Sequence, residues 1–221
     1  MTTELKIIKV KENILADNET LAGELRNRLR KNNICMINLM SSPGAGKTTF
    51  LLRTIEGLRD KARMAVIEAD IDSTVDAETI SRTGTKAVQL QTGGFCHLDA
   101  AMVEEGLKNL DLDNLDLIFI ENVGNLVCPA EFDTGATLNV MILSVPEGDD
   151  KPLKYPLMFS TCDVLIVNKT DYLGTPFTDF DLAVLEKRVR NLNQDINIFA
   201  LSSKTGEGIG NWISWLATNN L

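Results

Sequence analysis

Directly after an apolar run of strand length, ICMINLM at 34–40, the chain reads SSPGAGKTT over 41–49 and then becomes helix-like. Phosphate asks for such a loop. Amides must point inward at a helix N-terminus, glycines must let the backbone approach, a lysine must reach the terminal phosphates, and a hydroxyl must meet a divalent cation. Pro43, Gly44, Ala45, Gly46, Lys47, Thr48 and Thr49 supply these groups. The full pattern opens with glycine where Ser41 stands, but the strand before and the helix after are the required context.

Two further motifs sit at the ends of later apolar runs. After VLIV comes NKTD at 168–171, which resembles the guanine-recognition motif of GTPases. A carboxylate at Asp171 can accept from both the ring N–H and the exocyclic amine of guanine, and adenine offers no such adjacent pair. Asn168 would brace the loop, and the stem of Lys169 would cover the base. NIFAL then runs into SSKTGEG at 202–208, where Ser202, Ser203 and Lys204 resemble the loop whose backbone contacts guanine O6. A four-residue motif alone is no more than a solvated turn, but three in GTPase order point to GTP and GDP.

Two acidic loops complete that site. MAVIEA leads into Asp70-Ile71-Asp72-Ser73-Thr74, and LDLIFI leads into Glu121-Asn122-Val123-Gly124. Thr48, Asp70, Asp72 and Glu121 are candidate magnesium-holding residues, and Lys47, Asp70, Asp72 and Glu121 the candidate catalytic set. The plainer reading of Asp70 and Asp72 is a helix N-cap, and both roles can hold. The Gly124 amide is placed to meet the γ-phosphate, as a sensor that GTP orders and GDP releases.

The lone histidine, His97, adjoins Cys96 after Gly93-Gly94, and Cys128 follows the Glu121 loop. Thiolate and imidazole suit zinc and nickel, while a buried cysteine is also an ordinary small core residue; spacing alone leaves both readings open. Three ligands are one short of a closed tetrahedron, which implies an open position or ligands pooled across a two-fold axis. Cys35 and Cys162 lie within or beside apolar runs and are assigned to the core. Lys151 and Lys154 read as solvated charges and are left out of the site.

These motifs need a scaffold that gathers strand ends. Apolar runs at 34–40, 63–69, 86–90, 115–121, 138–145, 163–168 and 196–200 alternate with helix-periodic segments at 47–60, 73–83, 98–109, 180–192 and 207–218. The alternation predicts an α/β fold with a mostly parallel sheet of about seven strands, helices on both faces, and ligands at the carboxyl edge. Leu21, Leu25 and Leu29 mark a short amphipathic helix, so the chain divides into an extension over 1–30 and a nucleotide-binding domain over 31–221.

Length and charge narrow the function classes. At 221 residues one core is expected, and a net charge of −9 argues against nucleic acid as a partner. No run approaches the roughly 18 apolar residues that span a bilayer, and MTTELKIIKVKEN lacks the apolar heart of a signal peptide. A cytoplasmic protein without membrane contact is expected.

With PGAGKT at 43–48, TGGFCHLDA at 92–100, ENVGNLVCPA at 121–130 and NKTD at 168–171 in that order, the chain resembles the HypB-type nickel-insertion GTPases of [NiFe] hydrogenase maturation. The likeness covers nearly everything from about residue 35. It implies a P-loop GTPase of the nucleotide-dependent dimerising class, a HypA-type nickel chaperone as partner, and the hydrogenase large subunit as destination. By motif, Cys96, His97 and Cys128 match that family's GTPase-domain metal ligands. The cysteine-rich N-terminal nickel motif and the histidine-rich stretch of many relatives are missing, so tight independent nickel storage is not expected. The rivals are a urease-accessory or cobalamin-enzyme chaperone GTPase and a zinc-stabilised nucleotide-binding module. No residue resembles the water-orienting glutamine of small signalling GTPases, so turnover should fall well below about one per second.

Overall fold

The computed structural model describes residues 10–71 and 74–220. Its strands are β1 (Cys35–Ser41), β2 (Met64–Asp70), β3 (Lys86–Gln91), β4 (Leu117–Glu121), β5 (Leu138–Ser144), β6 (Val164–Asn168) and β7 (Asn197–Ala200). Its helices are α1 (Val10–Lys31), α2 (Lys47–Leu58), α3 (Val75–Ser81), α4 (Ala100–Leu107), α5 (Cys128–Glu131), α6 (Lys151–Lys154), α7 (Pro156–Thr161), α8 (Leu182–Leu192) and α9 (Ile209–Asn220). The seven strands form one parallel sheet in the order β3-β2-β4-β1-β5-β6-β7.

The pattern of side chains explains this order. β1, β4 and β6 are buried along their whole length, as inner parallel strands covered on both faces must be. The edge strands β3 and β7 are partly exposed, and β3 carries Lys86, Gln89 and Gln91. Alternation along β1 sends Ile37 and Leu39 to one face, where Phe50, Ile55 and Trp212 of α2 and α9 cover them. Met36 faces α1 and α4 on the other side, and Met40 faces α7 and α8. Each large side chain buried this way contributes about 1.5–3 kcal/mol, so helix packing on both faces dominates the stability of the sheet.

Two stretches differ from the sequence reading. α1 is longer than the leucine spacing indicated, and its Leu25 and Leu29 are fully buried in the core against α4 and the sheet. That leucine face is the chain's own packing surface. The crossover between β5 and β6 holds α6 and α7, each with proline in its first turn and each too short to show a helical period. α5 is as short and begins at Cys128.

Parallel pairing aligns the carboxyl ends. Glu68 of β2 and Leu39 of β1 both lie level with Glu121 of β4, and Ser144 of β5 lies level with Asn168 of β6. Every motif singled out above leaves the sheet from this one edge. No helix among the described residues is long and apolar enough to cross a membrane.

Candidate functional site: a nucleotide cleft beside a thiol–imidazole cluster

The loop after β1 opens into a cleft of about 450 Å³ floored by Lys47, Thr48 and Glu121 and walled by Pro43, Asp70 and Gly124. Gly46 holds φ 98° at the start of α2, and a β-carbon there would stand 2.7 Å from Asn168 Nδ2. Glycine is therefore required on both backbone and steric grounds. Lys47 Nζ donates to Ser41 Oγ at 3.2 Å, so the serine that replaces the motif's first glycine gives the ammonium a partner. Burial pushes the Lys47 ammonium below its ordinary pKa, and the Glu121 carboxylate opposes that shift.

The far end of the cleft is tied to NKTD. Asn168 Nδ2 donates to the Ala45 carbonyl at 3.0 Å, while its Oδ1 accepts from the amides of Lys169 and Ser203 at 2.8 and 3.0 Å. Lys169 Nζ reaches the Gly44 carbonyl at 2.7 Å. A smaller pocket of about 140 Å³ lies between Gly46, Lys169, Asp171, Tyr172 and Lys204. Ser202 does not line it; its hydroxyl donates to Asp171 Oδ1 at 2.6 Å and so orients the carboxylate. Thr49 borders both cavities.

The acidic loops are only partly as the sequence suggested. Asp70 lines the main cleft and is not a helix cap; Thr74 holds the N-cap position of α3, its hydroxyl donating to Glu78 Oε1 at 3.0 Å and not accepting from a helix amide. Asp72 lies outside the described residues. Glu121 accepts from Thr48 Oγ1 at 2.7 Å through one oxygen, and its other oxygen is buried with no hydrogen-bond partner among the described residues. Burial raises the Glu121 carboxyl to about 7. Glu68 is a second buried carboxyl with an unpartnered oxygen, raised to about 8 by burial first and by the neighbouring Glu121 charge second. Orphaned buried oxygens beside a threonine hydroxyl and Asp70 fit a hard divalent cation.

Sequence reasoning missed Glu68 and Asp76. Glu68 was one charged letter within an apolar strand, and Asp76, in the first turn of α3, lines the cleft. The signal available for Glu68 was a carboxylate at an inner-strand position, where burial has a cost unless it serves a purpose.

Around the carboxyl edge, Cys96, His97 and Cys128 converge. One ligand atom from each lies within 4.8 Å of the others. Cys96 Sγ and Cys128 Sγ are 2.9 Å apart, and Cys96 Sγ is 3.9 Å from His97 Nδ1. The imidazole stacks on Phe132 at 3.9 Å between centroids, and burial lowers its pKa, favouring the neutral ring that coordinates metal. The Cys128 thiol is pushed up by its hydrogen bond with Cys96. Two thiols and one imidazole fit a borderline-soft ion such as nickel or zinc. Cys35 and Cys162 are buried apart from this cluster, as expected, and burial raises the Cys35 thiol to about 11.

The two sites share the segment between Glu121 and Cys128. A β-carbon on Gly124 would lie 3.1 Å from both Cα and N of Pro43, so this glycine rests directly on the phosphate-type loop. Asn122 is fully buried; its Oδ1 accepts from Leu98 N–H at 3.2 Å and Val123 N–H at 2.9 Å, and its Nδ2 donates to Asn38 Oδ1 at 3.1 Å. The residue after Glu121 thus holds the residue after His97.

A model of the family described as CobW/HypB/UreG, nucleotide-binding domain, matches residues 35–200. The hydrogenase maturation factor HypB of Azotobacter vinelandii is 47% identical over 214 residues, spanning 97% of this chain and 70% of that protein. This chain belongs to the HypB family. Two HypB crystal structures superpose on it closely. The Helicobacter pylori HypB in complex with nickel has a TM-score of 0.87 at 37% identity, covering 92% of this chain and 95% of that one. The Archaeoglobus fulgidus HypB has a TM-score of 0.84 at 35% identity, covering 92% and 98%. The HypB family accounts for the seven-stranded parallel sheet and for a nucleotide-binding domain built on it.

Proposed function

We propose that this chain is a GTP-hydrolysing metallochaperone that carries nickel toward [NiFe] hydrogenase during its maturation. The observation that carries the reading is the joining of a nucleotide cleft and a Cys96–His97–Cys128 cluster through one short segment, Glu121 to Cys128. The hydrogenase-maturation names of its relatives and the nickel bound by the Helicobacter pylori protein agree with it.

Each group has a role derived from its chemistry. Asp171, oriented by Ser202, selects guanine; Asn168 and Lys169 lock that loop to the phosphate loop, and Ser203 and Lys204 close the base pocket. Pro43 through Thr49 cradle the phosphates, with the Lys47 ammonium neutralising charge that develops on the transferred phosphoryl. Magnesium, held by Thr48, Glu121, Asp70 and, from the segment outside the described residues, Asp72, would supply further charge neutralisation there. Glu121, Asp70 and Asp72 are the carboxylates available to position water, and without a glutamine in that role turnover stays slow.

Nickel, or zinc in its place, is the cargo of Cys96, His97 and Cys128. The triad leaves a coordination position open, which a second copy of the chain can fill. Phe95 and Val127, each more than half exposed, flank the ligands and suit such a GTP-dependent homodimer. GTP orders the Gly124 segment on Pro43 and so holds Cys128 in place; hydrolysis relaxes it and releases the metal. A HypA-type chaperone is the partner on this route and the hydrogenase large subunit the recipient, both in the cytoplasm.

The test is equilibrium dialysis with nickel on protein loaded with GDP or with a non-hydrolysable GTP analogue, with mass measured in solution. The proposal expects dimerisation and a change in nickel affinity with the analogue. Equal nickel binding in both states would break the link from Gly124 to Cys128. Metal tightened by GTP must tighten GTP by the same factor.

A further inference from the structure

The candidate ligands come from two separate segments: Cys96 and His97 lie just before α4, and Cys128 opens α5. Asn18, on α1, touches the continuation of both. Its Oδ1 accepts from the Ala100 amide at 2.8 Å, three residues beyond His97. Its Nδ2 donates to the Asp133 carbonyl at 2.9 Å, five residues beyond Cys128. Only a carboxamide offers a donor and an acceptor on one short rigid plane, so neither aspartate nor alanine can make both bonds.

The helix that presents Asn18 is itself fixed to the Cys128 side. Arg26, two turns on, grips the Asp133 carboxylate through both oxygens at 2.6 and 2.7 Å, and its Nε donates to the Ala136 carbonyl at 2.8 Å. Between these contacts a β-carbon on Gly135 would stand 2.9 Å from Leu25 Cβ, so helix and segment pack without a gap. α1 therefore gives Asn18 a firm base from which to span the two segments.

We infer that Asn18 is a positioning residue for the metal site: its side chain sets the separation between the segment carrying Cys96 and His97 and the segment carrying Cys128. The inference rests on reading those three residues as nickel ligands. Neither Asn18 bond involves the nucleotide cleft, so its removal should act on metal and leave nucleotide alone.

The experiment compares full-length wild type with Asn18→Ala, Asn18→Asp and Arg28→Ala, all loaded with GDP at one protein concentration. Alanine preserves the helix, aspartate keeps the acceptor for Ala100 but loses the donor to Asp133, and Arg28 pairs with Glu104 of α4 without reaching a ligand segment. Nickel affinity by dialysis, nickel–thiolate absorption, GDP affinity and melting temperature are measured. Expected for Asn18→Ala is nickel binding about ten-fold weaker with changed thiolate absorption and unchanged GDP affinity, the scale of losing an outer-shell partner. Asn18→Asp should match it, because the span needs both bonds, and Arg28→Ala should match wild type. Nickel affinity within about two-fold of wild type in Asn18→Ala, full rescue by aspartate, or an equal loss of GDP affinity overturns the inference. If Cys128→Ala binds nickel as wild type does, the ligand reading itself is wrong, and the inference goes with it.

Discussion

Gly124 sits so close to Pro43 that a β-carbon would lie 3.1 Å from the proline's Cα and N, tighter than ordinary van der Waals contact with backbone that has little room to yield. This contact joins the segment after β4 to the phosphate-type loop, four residues before Cys128. Gly124→Ala should displace one loop from the other, at about 1–3 kcal/mol for overpacking. We expect weaker binding of the GTP analogue and a smaller difference in nickel affinity between the two nucleotide states. Dialysis of the variant checks it; wild-type coupling in Gly124→Ala would show that the contact is passive.

Asp171 owes its orientation to the Ser202 hydroxyl at 2.6 Å. Asp171→Asn exchanges an acceptor for a donor, so the variant should prefer xanthosine triphosphate, which presents a carbonyl where guanine has an amine. Competition between the two triphosphates measures this. An unchanged ranking would mean that Asp171 does not read the base. Ser202→Ala should weaken GTP binding modestly without changing the ranking, since it loosens the carboxylate and leaves its chemistry intact.

The sheet was legible because its inner strands are unbroken apolar runs and its longer helices have a clear period; ICMINLM and VLIV needed no three-dimensional information. The nucleotide motifs were legible for a related reason, since Lys47, Asn168 and Asp171 act from fixed offsets within one loop. Burial and partnership were not. The apolar run around Glu68 hints at an inner strand, but nothing local shows that its carboxyl is buried level with Glu121. The spacing of Leu25 shows that one helix face is covered and not that the sheet and α4 cover it. Asn18 and Asn122 reach the segment that bears His97 across 82 and 24 residues respectively, distances over which spacing carries no signal.

The buried carboxyls give the nucleotide-free protein a pH dependence. Glu68 and Glu121 are raised from 4.5 to about 8 and about 7. Below about 4.5 both are protonated whether the chain is folded or not; above it the unfolded chain releases protons that the folded chain retains, so stability falls until the folded values are passed. The melting temperature of metal-free, nucleotide-free protein should therefore drop by several degrees between about pH 5 and pH 8. Glu68→Gln should flatten that drop and be more stable than wild type near pH 8. A variant that loses stability with pH as steeply as wild type would rule out Glu68 as a source.

Asn122 offers the most direct way to loosen the His97 segment from within. Its amide is fully buried and satisfies the Leu98 and Val123 N–H groups and Asn38 Oδ1, while Asn38 in turn donates to Asn139 Oδ1 at 3.1 Å. Asn122→Ala would leave two amides and one carboxamide oxygen unpaired in the interior, each costing about 1–3 kcal/mol. A total loss of about 3 kcal/mol or more is expected in urea unfolding of the GDP-bound protein. Because one of the freed amides follows His97 directly, the folded fraction should also bind nickel more weakly, which separates this variant from Asn139→Ala, where the ladder is cut on the far side of β1 and the His97 segment keeps its anchor. A loss below about 1 kcal/mol would show that these bonds contribute little in solution.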